Sequence, residues 1–461
     1  MNMRITLRLL ADLRRLRERD HWTREQLAAH QANALRSLRE HAYAHSPFYQ
    51  RFHKGLTDRP LQELPVLTKA MLMDGFDELV TDRTIRREEV EAHVANLHGD
   101  ERFRSRYWVN VTSGSTGRRG LFLFDHSEWA MVLASFARTH EWTGLEVSLT
   151  HRMRMASVAS TIPWYMSARI AATLRSWWMP VLRLDAMEPV ETIIERLNTW
   201  QPEILVAYPS LARVLADEQI AGHLAIRPSL IFTSSEVLTV ETRRRVEQAW
   251  GMQPFNQYGA TETGGLAAEC TQHCGMHLAE DLVIPEVVDK DNRPVPAGTY
   301  GDKLLVTVLF SRTQPLIRYE LSDSVRLASA PCPCGRPFAL IEDIQGRMED
   351  VLYLSAATGG EVAVHPRAVR RIMDVVPAAA WQVVQEHNRL TVLLAGVRDG
   401  FADMPLIDAL QRALVDQGAS TPVVHVQRVP AIPKGPTGKS PFICSNLSSR
   451  TSRAPTPIAP Q

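Results

Sequence analysis

Residues 111–120 read VTSGSTGRRG, an arrangement suited to holding phosphate. Glycine lets the backbone approach an anion and turn its N–H groups toward it. Ser and Thr hydroxyls add donors, and Arg118 or Arg119 adds positive charge. The strand-like LFLF follows, whereas a Walker loop ends in Lys-Ser/Thr and opens a helix. In NQYGATETGG (256–265), Tyr258 offers a flat ring for a heterocycle such as adenine. Glu262 offers a hard carboxylate for magnesium between protein and phosphates. PLIRYELSDSVRL (315–327) contains Asp323 and GRMED (346–350) contains Arg347, an acceptor and a donor that together suit the two hydroxyls of a ribose. Lys439 lies in the Gly/Pro-rich turn IPKGPTGKSPF (432–442). Each segment alone has a plain counterpart: a flexible loop, a helix-capping Thr261 beside a solvated Glu262, solvated charges, or a solvent-facing lysine.

Four of the five cysteines form two tight groups. ECTQHCGMH carries Cys270, Cys274 and His277, and CPCGRP carries Cys332 and Cys334. Ligands from two such loops make a tetrahedral zinc site, and in a cytosolic chain this pairing points to metal before disulfide. The competing reading is two buried thiol pairs without metal. Cys444 stands apart.

These residues must be held by a chain of 461 residues, long enough for two or more domains. Hydrophobic residues make up 45% and charged residues 22%, a globular balance. Lys plus Arg is 52 and Asp plus Glu 51, a net charge of +1 that gives no bulk pull toward nucleic acid or an anionic membrane. A phosphate site must therefore be local. The Arg-rich N-terminus lacks the apolar run of a secretory signal, and no stretch is long enough to span a bilayer, so the expected location is the cytoplasm. Ile5, Leu9, Leu13 and Leu16 mark one helical stripe, read as a helix packed on the body, with a membrane-surface helix as the lesser reading.

The reading places helices over Leu67–Leu79 and Ser127–Arg138. It then finds an alternating series: strand Ile204–Ala207, helix Ser210–Ile220 capped by Ser210, strand Leu230–Thr233, helix Val240–Trp250 capped by Thr239, and strand Pro254–Tyr258. Such short alternating units predict a parallel α/β sheet, with ligands beyond the carboxyl ends of its strands. KLLVTVL (303–309) predicts another strand. Farther on, helices at Pro366–Met373 and Met404–Leu414 and strands at Leu390–Leu394 and Val423–Val429 predict a small α+β domain. The expected fold is α/β: a large N-terminal domain (1–346, with a helical flank over 1–60) of mixed and parallel sheets, and a small mobile α+β domain (347–444). Residues 445–461, rich in Ser, Thr, Pro and Arg, are expected to be disordered.

In this order, TSGSTG, YGATE, the Asp323 segment, GRMED and the GK turn resemble the adenylate-forming superfamily, which includes acyl-CoA synthetases. The run from TSSEVL (233–238) through GMHLAED, CPCGRP and QGRMED is most similar to the phenylacetate–CoA ligase branch. The resemblance spans about residues 105–355. It implies ATP- and magnesium-dependent activation of a small carboxylic acid as an acyl-adenylate, then thioester formation with CoA. A carrier-protein phosphopantetheine is the variant acceptor; transfer to an amine and a non-catalytic binding module are the other readings.

The resemblance also implies roles. Thr112, Ser113, Gly114, Ser115, Thr116 and Gly117 would hold the β- and γ-phosphates. Ser235, Glu236 and Tyr258, with Gly259 beside it, would border the adenine. Thr261 would contact the α-phosphate, Glu262 magnesium, and Asp323 and Arg347 the ribose. Lys439 would bridge carboxylate and α-phosphate, and Glu349 would be the hinge. The structural zinc ligands would be Cys270, His277, Cys332 and Cys334, with Cys274 as the alternative. Trp164, Tyr165, Met166 and Tyr208 would wall the acid site, and an aryl acid is expected by analogy alone. This chain departs from the pattern at Arg119, where a proline is usual, at Glu349, where Asp is common, in LSAATGGEVAVHP (354–366), and after Phe442. The oligomeric state is left open.

Overall fold

The computed structural model describes residues 3–112, 119–145, 152–174, 179–347, 352–364, 366–373, 375–386, 389–435 and 438–445. Between residues 155 and 260, short apolar runs alternate with amphipathic helices. Each run becomes a parallel strand: Met155–Ala159, Val181–Asp185, Ile204–Ala207, Leu230–Ser234 and Phe255–Ala260. Side chains alternate across a strand, so both faces of this sheet can be buried. Leu205, Ala207 and Ile231 join one core with Leu211, Leu215 and Val246 of the helices Pro209–Ala221 and Val240–Trp250. Ile204 and Phe232 join a separate cluster with Met155 and Phe255.

Antiparallel strands extend this sheet to nine. From one edge the order is Asp323–Leu327, Leu340–Arg347, Met276–Leu278, Gly264–Glu269, Phe255–Ala260, Leu230–Ser234, Ile204–Ala207, Met155–Ala159 and Val181–Asp185. A separate three-stranded sheet contains Val283–Val288, Lys303–Val308 and Tyr319–Leu321, and Trp108–Val111 pairs with Leu121–Phe124 as a hairpin. The helix Met3–Arg19 buries Ile5, Leu9, Leu13 and Leu16, as the stripe predicts.

The chain divides into a large unit, Met1–Met348 with Lys434–Lys439, and a small unit, Glu349–Pro433 with Ser440–Gln461. The small unit contains a four-stranded sheet in the order Val423–Val429, Arg389–Val397, Ala378–Glu386 and Ile443–Ser445. Helices Pro366–Met373 and Asp403–Asp416 bury Val369, Leu406 and Leu410 in its core. The strand Ala378–Glu386 lies outside the sequence reading, because three successive alanines carry little β signal.

Three local expectations are corrected. The helix expected over Leu67–Leu79 is two helices, Lys69–Asp74 and Phe76–Leu79, separated at Gly75. Gly75 lies against Phe48, where an added Cβ would sit 2.8 Å from the ring. Ser210 is not a cap: the helix begins at Pro209, whose missing N–H and fixed φ suit the first turn, and Tyr208 is the cap residue. The segment YGATE contains no helix for Thr261 to cap; it is the tip of a hairpin between Phe255–Ala260 and Gly264–Glu269. By contrast, Thr239 caps Val240–Trp250 by accepting from the Thr242 N–H. The 445–461 tail reading falls, beyond Ser445, outside the described residues.

Buried charges tie the N-terminal helices to the sheet unit. Arg138 donates two 3.0 Å hydrogen bonds to Asp281, and both side chains are almost completely buried. Arg19 donates to the same carboxylate at 3.3 Å, and Asp20 accepts from Trp142 Nε1 at 2.8 Å. Removing one partner of a buried pair leaves a charge without compensation. Arg138→Met is expected to remove about 3–5 kcal/mol from the stability of the large unit, measured by urea unfolding. The double variant with Asp281→Asn should cost less than the sum of the two single changes.

His140 gives a pH test. Burial pushes its pKa down to about 4, and its ring stacks on Phe232 with centroids 4.4 Å apart. The folded form stays neutral while the unfolded form takes a proton below about 6.5. Stability is therefore full above that value and falls as pH drops toward 4, by about 1.4 kcal/mol per pH unit for this one histidine. His140→Gln should flatten that part of a stability–pH profile.

Candidate active site

The hairpin that carries YGATE is shaped by close approach to the helix His126–Trp142. Gly264 has φ +76°, and a Cβ there would lie 3.1 Å from Val132 Cγ1. Gly265 N–H donates to Ser135 Oγ at 3.0 Å. At the hairpin tip Glu262 is buried and accepts from Tyr319 Oη at 3.4 Å. Burial, then the nearby Glu262 charge, pushes the Tyr319 hydroxyl pKa far up, so it remains a donor to that carboxylate.

Tyr258 lies on the strand Phe255–Ala260, as the strand expected over Pro254–Tyr258 has it. Its hydroxyl donates to Asp323 Oδ2 at 2.8 Å. Asp323 opens the strand Asp323–Leu327 and is the antiparallel register partner of Arg347, the last residue of Leu340–Arg347. Three residues drawn from separate sequence segments are thus brought to one end of the sheet.

The parallel strands end beside them. Ser160 and Thr161 follow one strand, Asp185 closes the next, Tyr208 follows a third, and Ser235 and Glu236 follow a fourth. Ser235 has φ +70°, a conformation a non-glycine residue holds at a cost of about 1–3 kcal/mol. Glu236 Oε2 accepts from the Ser210 N–H at 3.0 Å, so part of this carboxylate serves the first turn of Pro209–Ala221. Tyr208 is buried, and its hydroxyl accepts from the Ser160 N–H at 3.0 Å. Burial pushes its pKa up to about 12, with Glu236 and Asp185 adding to the effect.

Lys439 belongs to the large unit, and its Nζ lies 5.4 Å from the Tyr208 ring centroid, a cation–π geometry. Asp185, Ala186 and Lys434 join this neighbourhood, and none was singled out from sequence. Lys434 stands in the quoted IPKGPTGK turn, which was the available signal; Asp185 closes a strand with no distinguishing pattern.

Thr112 Oγ1 accepts from the Gly120 N–H at 2.8 Å, and Thr112 N–H donates to Gly120 O at 3.0 Å. These bonds close the base of the loop between Trp108–Val111 and Leu121–Phe124. Ser113, Gly114, Ser115, Thr116 and Gly117 lie outside the described residues, as do Glu349 and the side chain of Arg347. Gly259 lies on the hairpin, where an added Cβ would sit 3.1 Å from Phe136 Cζ. Of the residues read as acid walls, Trp164 accepts from the Val111 N–H through its carbonyl at 2.9 Å, Tyr165 packs 6.3 Å from the Trp164 ring, and Met166 opens a helix.

A second cluster lies in a small core with Trp142, Phe338 and Leu340. One ligand atom each from Cys270, His277, Cys332 and Cys334 lies within 4.8 Å of the others. Cys334 Sγ is 3.3 Å from His277 Nε2, and Cys270 Sγ is 3.7 Å from Cys332 Sγ. Cys274 is exposed and outside this group of four, although its Sγ lies 3.3 Å from Cys332 Sγ. Burial pushes the Cys270 and Cys332 thiols up to about 12 and 11, and pushes His277 down to about 4, keeping its imidazole neutral. Three sulfurs and a neutral imidazole form a soft donor set suited to a tetrahedral metal. Among the described residues no helix is long and apolar enough to cross a membrane.

The AMP-binding enzyme family matches residues 53–306, more than half of the chain. The protein therefore belongs to the AMP-binding enzyme family. A phenylacetate-coenzyme A ligase of Thermus thermophilus is 26% identical over 393 residues, covering 82% of this chain and 80% of the relative. A phenylacetate-coenzyme A ligase of Escherichia coli is 24% identical, covering 72% and 73%. Among solved structures, a 2-hydroxyisobutyryl-CoA ligase in complex with 2-HIB-AMP shares the fold, with a TM-score of 0.72, 18% identity and coverage of 93% and 91%.

Proposed function

We propose that this protein is an AMP-forming acid–thiol ligase: it activates a small carboxylic acid with ATP as an acyl-adenylate and transfers the acyl group to CoA. The observation that carries this reading is the meeting of Tyr258, Asp323 and Arg347 at one sheet end, with Tyr258 bonded to Asp323 and Asp323 paired in register with Arg347. An aromatic ring hydrogen-bonded to a carboxylate acceptor suits an adenine and its ribose. The names of the ligases described above support the same reading.

In this reading Asp323 and Arg347 hold the ribose, Tyr258, Gly259, Ser235 and Glu236 border the adenine, and Thr112–Gly117 hold the β- and γ-phosphates. Thr261 steadies the α-phosphate. Glu262 fits a magnesium ion, because it is a buried carboxylate at the tip of the same hairpin; the ion would neutralise phosphate charge. Lys439 stabilises the negative charge that gathers as the carboxylate attacks phosphorus and pyrophosphate leaves. The division between units falls between Met348 and Glu349, which supports Glu349 as the hinge. An aryl acid remains the first class to test, with Trp164, Tyr165, Met166 and Tyr208 as candidate walls.

The test is acid-dependent pyrophosphate release across a panel of aryl and aliphatic acids, with and without CoA. Release with thioester formed only on adding CoA supports the reading. Release that CoA does not affect would transfer weight to a carrier-protein thiol or an amine. No release with any acid would overturn the adenylation step. Lys439→Ala is expected to lower the rate by about 10²–10³-fold, the scale of losing one preorganised charge-stabilising group.

We further infer that Cys270, His277, Cys332 and Cys334 hold a structural zinc ion that ties the 270–277 loop to the 332–334 loop. The protein as purified should contain about one zinc per chain by elemental analysis. Cys332→Ala should lose the metal and lower the melting temperature, whereas Cys274→Ser should retain it. Metal loss in Cys274→Ser would instead make Cys274 the fourth ligand.

A further inference from the structure

We propose that Lys434 is a positioning residue that seats the Lys439 turn on the carboxyl end of the strand Val181–Asp185. The inference rests on the adenylation reading above and extends it to a residue that touches no reacting atom. Two independent contacts carry it. Lys434 Nζ donates to Ala186 O at 2.6 Å, immediately beyond that strand. Gly438, with φ +75°, lies so close to the same residue that an added Cβ would be 2.4 Å from Ala186 Cβ. The two ends of the turn are therefore fixed to one point, by a charged hydrogen bond at one end and backbone contact at the other.

The turn is also closed on itself. Gly435 N–H donates to Lys439 O at 2.8 Å, and Gly438 N–H donates to Gly435 O at 2.9 Å. Holding Ala186 thus fixes the backbone of Lys439, whose ammonium reaches the face of Tyr208. Burial lowers the Lys434 pKa from the usual lysine range, and the nearby Asp185 and Glu236 carboxylates offset only part of that effect. Asp185 is itself fixed by accepting from the Thr161 N–H at 3.0 Å and the Met187 N–H at 2.8 Å. A long, flexible lysine aimed at a transition state needs such support, since a functional group must be held to within about 0.5 Å.

This arrangement predicts a split between half-reactions. Lys434→Met should slow acid-dependent pyrophosphate formation by about 10–100-fold, the effect of a misplacement near 1 Å. It should leave thioester formation from preformed acyl-adenylate and CoA at the wild-type rate. Gly438→Ala should behave like Lys434→Met, and Lys434→Arg, which retains a cationic donor, should keep most adenylation activity. Wild-type pyrophosphate release in Lys434→Met would overturn the proposal, as would an equal loss in both half-reactions. Limited trypsin digestion tests the seat without catalysis. Cleavage after Lys439 should be faster in Lys434→Met than in the wild type and unchanged in Lys434→Arg. Unchanged cleavage in Lys434→Met would overturn the seat even if the wild type activates no acid, an outcome that by itself would overturn only the adenylation reading.

Discussion

Parallel pairing is the constraint on which the rest of the large unit depends. Parallel strands all deliver their chain ends to the same edge, and each return path needs a crossover. The five parallel strands therefore place Thr161, Asp185, Tyr208, Glu236 and the YGATE hairpin along one edge of the sheet, although 101 residues of chain separate Thr161 from Glu262. The switch to antiparallel pairing at Gly264–Glu269 then brings Asp323 and Arg347 to the Tyr258 end. A hydrogen bond between Tyr258 and Asp323 joins these two parts of the sheet.

Several buried polar groups with defined partners secure this framework. Glu128 accepts from the Asp125, Arg312 and Thr313 N–H groups, joining the start of one helix to the 311–314 segment. From that segment Gln314 reaches the hairpin of Trp108–Val111 and Leu121–Phe124, accepting from the Leu123 N–H and donating to Leu121 O. Arg318 uses its guanidinium on Glu286 and on the carbonyls of Gln62 and Leu64. Such groups contribute specificity of position because a buried donor or acceptor without a partner is costly, by about 1–3 kcal/mol. The loops that carry the candidate chemistry are thus attached to the core by groups that have no part in the chemistry.

Legibility differed from element to element. Ile204–Ala207, Val240–Trp250 and Val423–Val429 were readable to the residue because apolar runs and a capping threonine mark their ends. Leu67–Leu79 was not, since periodicity cannot show that Phe48 occupies the space beside Gly75. Tyr258 and Asp323 were recognisable as groups with suitable chemistry. Their mutual hydrogen bond was not, because it joins residues 65 positions apart. Lys434 was hidden for the same reason: its partner, Ala186 O, is a backbone atom 248 residues away.

The sequence by itself determined the inventory: the order of the TSGSTG, YGATE, Asp323, GRMED and Lys439 segments, the cysteines and histidine in two short loops, and the alternation that requires a parallel sheet. Those features are local, so residue type and spacing are enough to express them. The tertiary structure alone decided which members meet. It joined Tyr258 to Asp323 by a hydrogen bond, committed one oxygen of Glu236 to a helix start, and seated the Lys439 turn on Ala186. These outcomes depend on long-range packing and on satisfying buried donors and acceptors, which no pattern of neighbouring residues specifies.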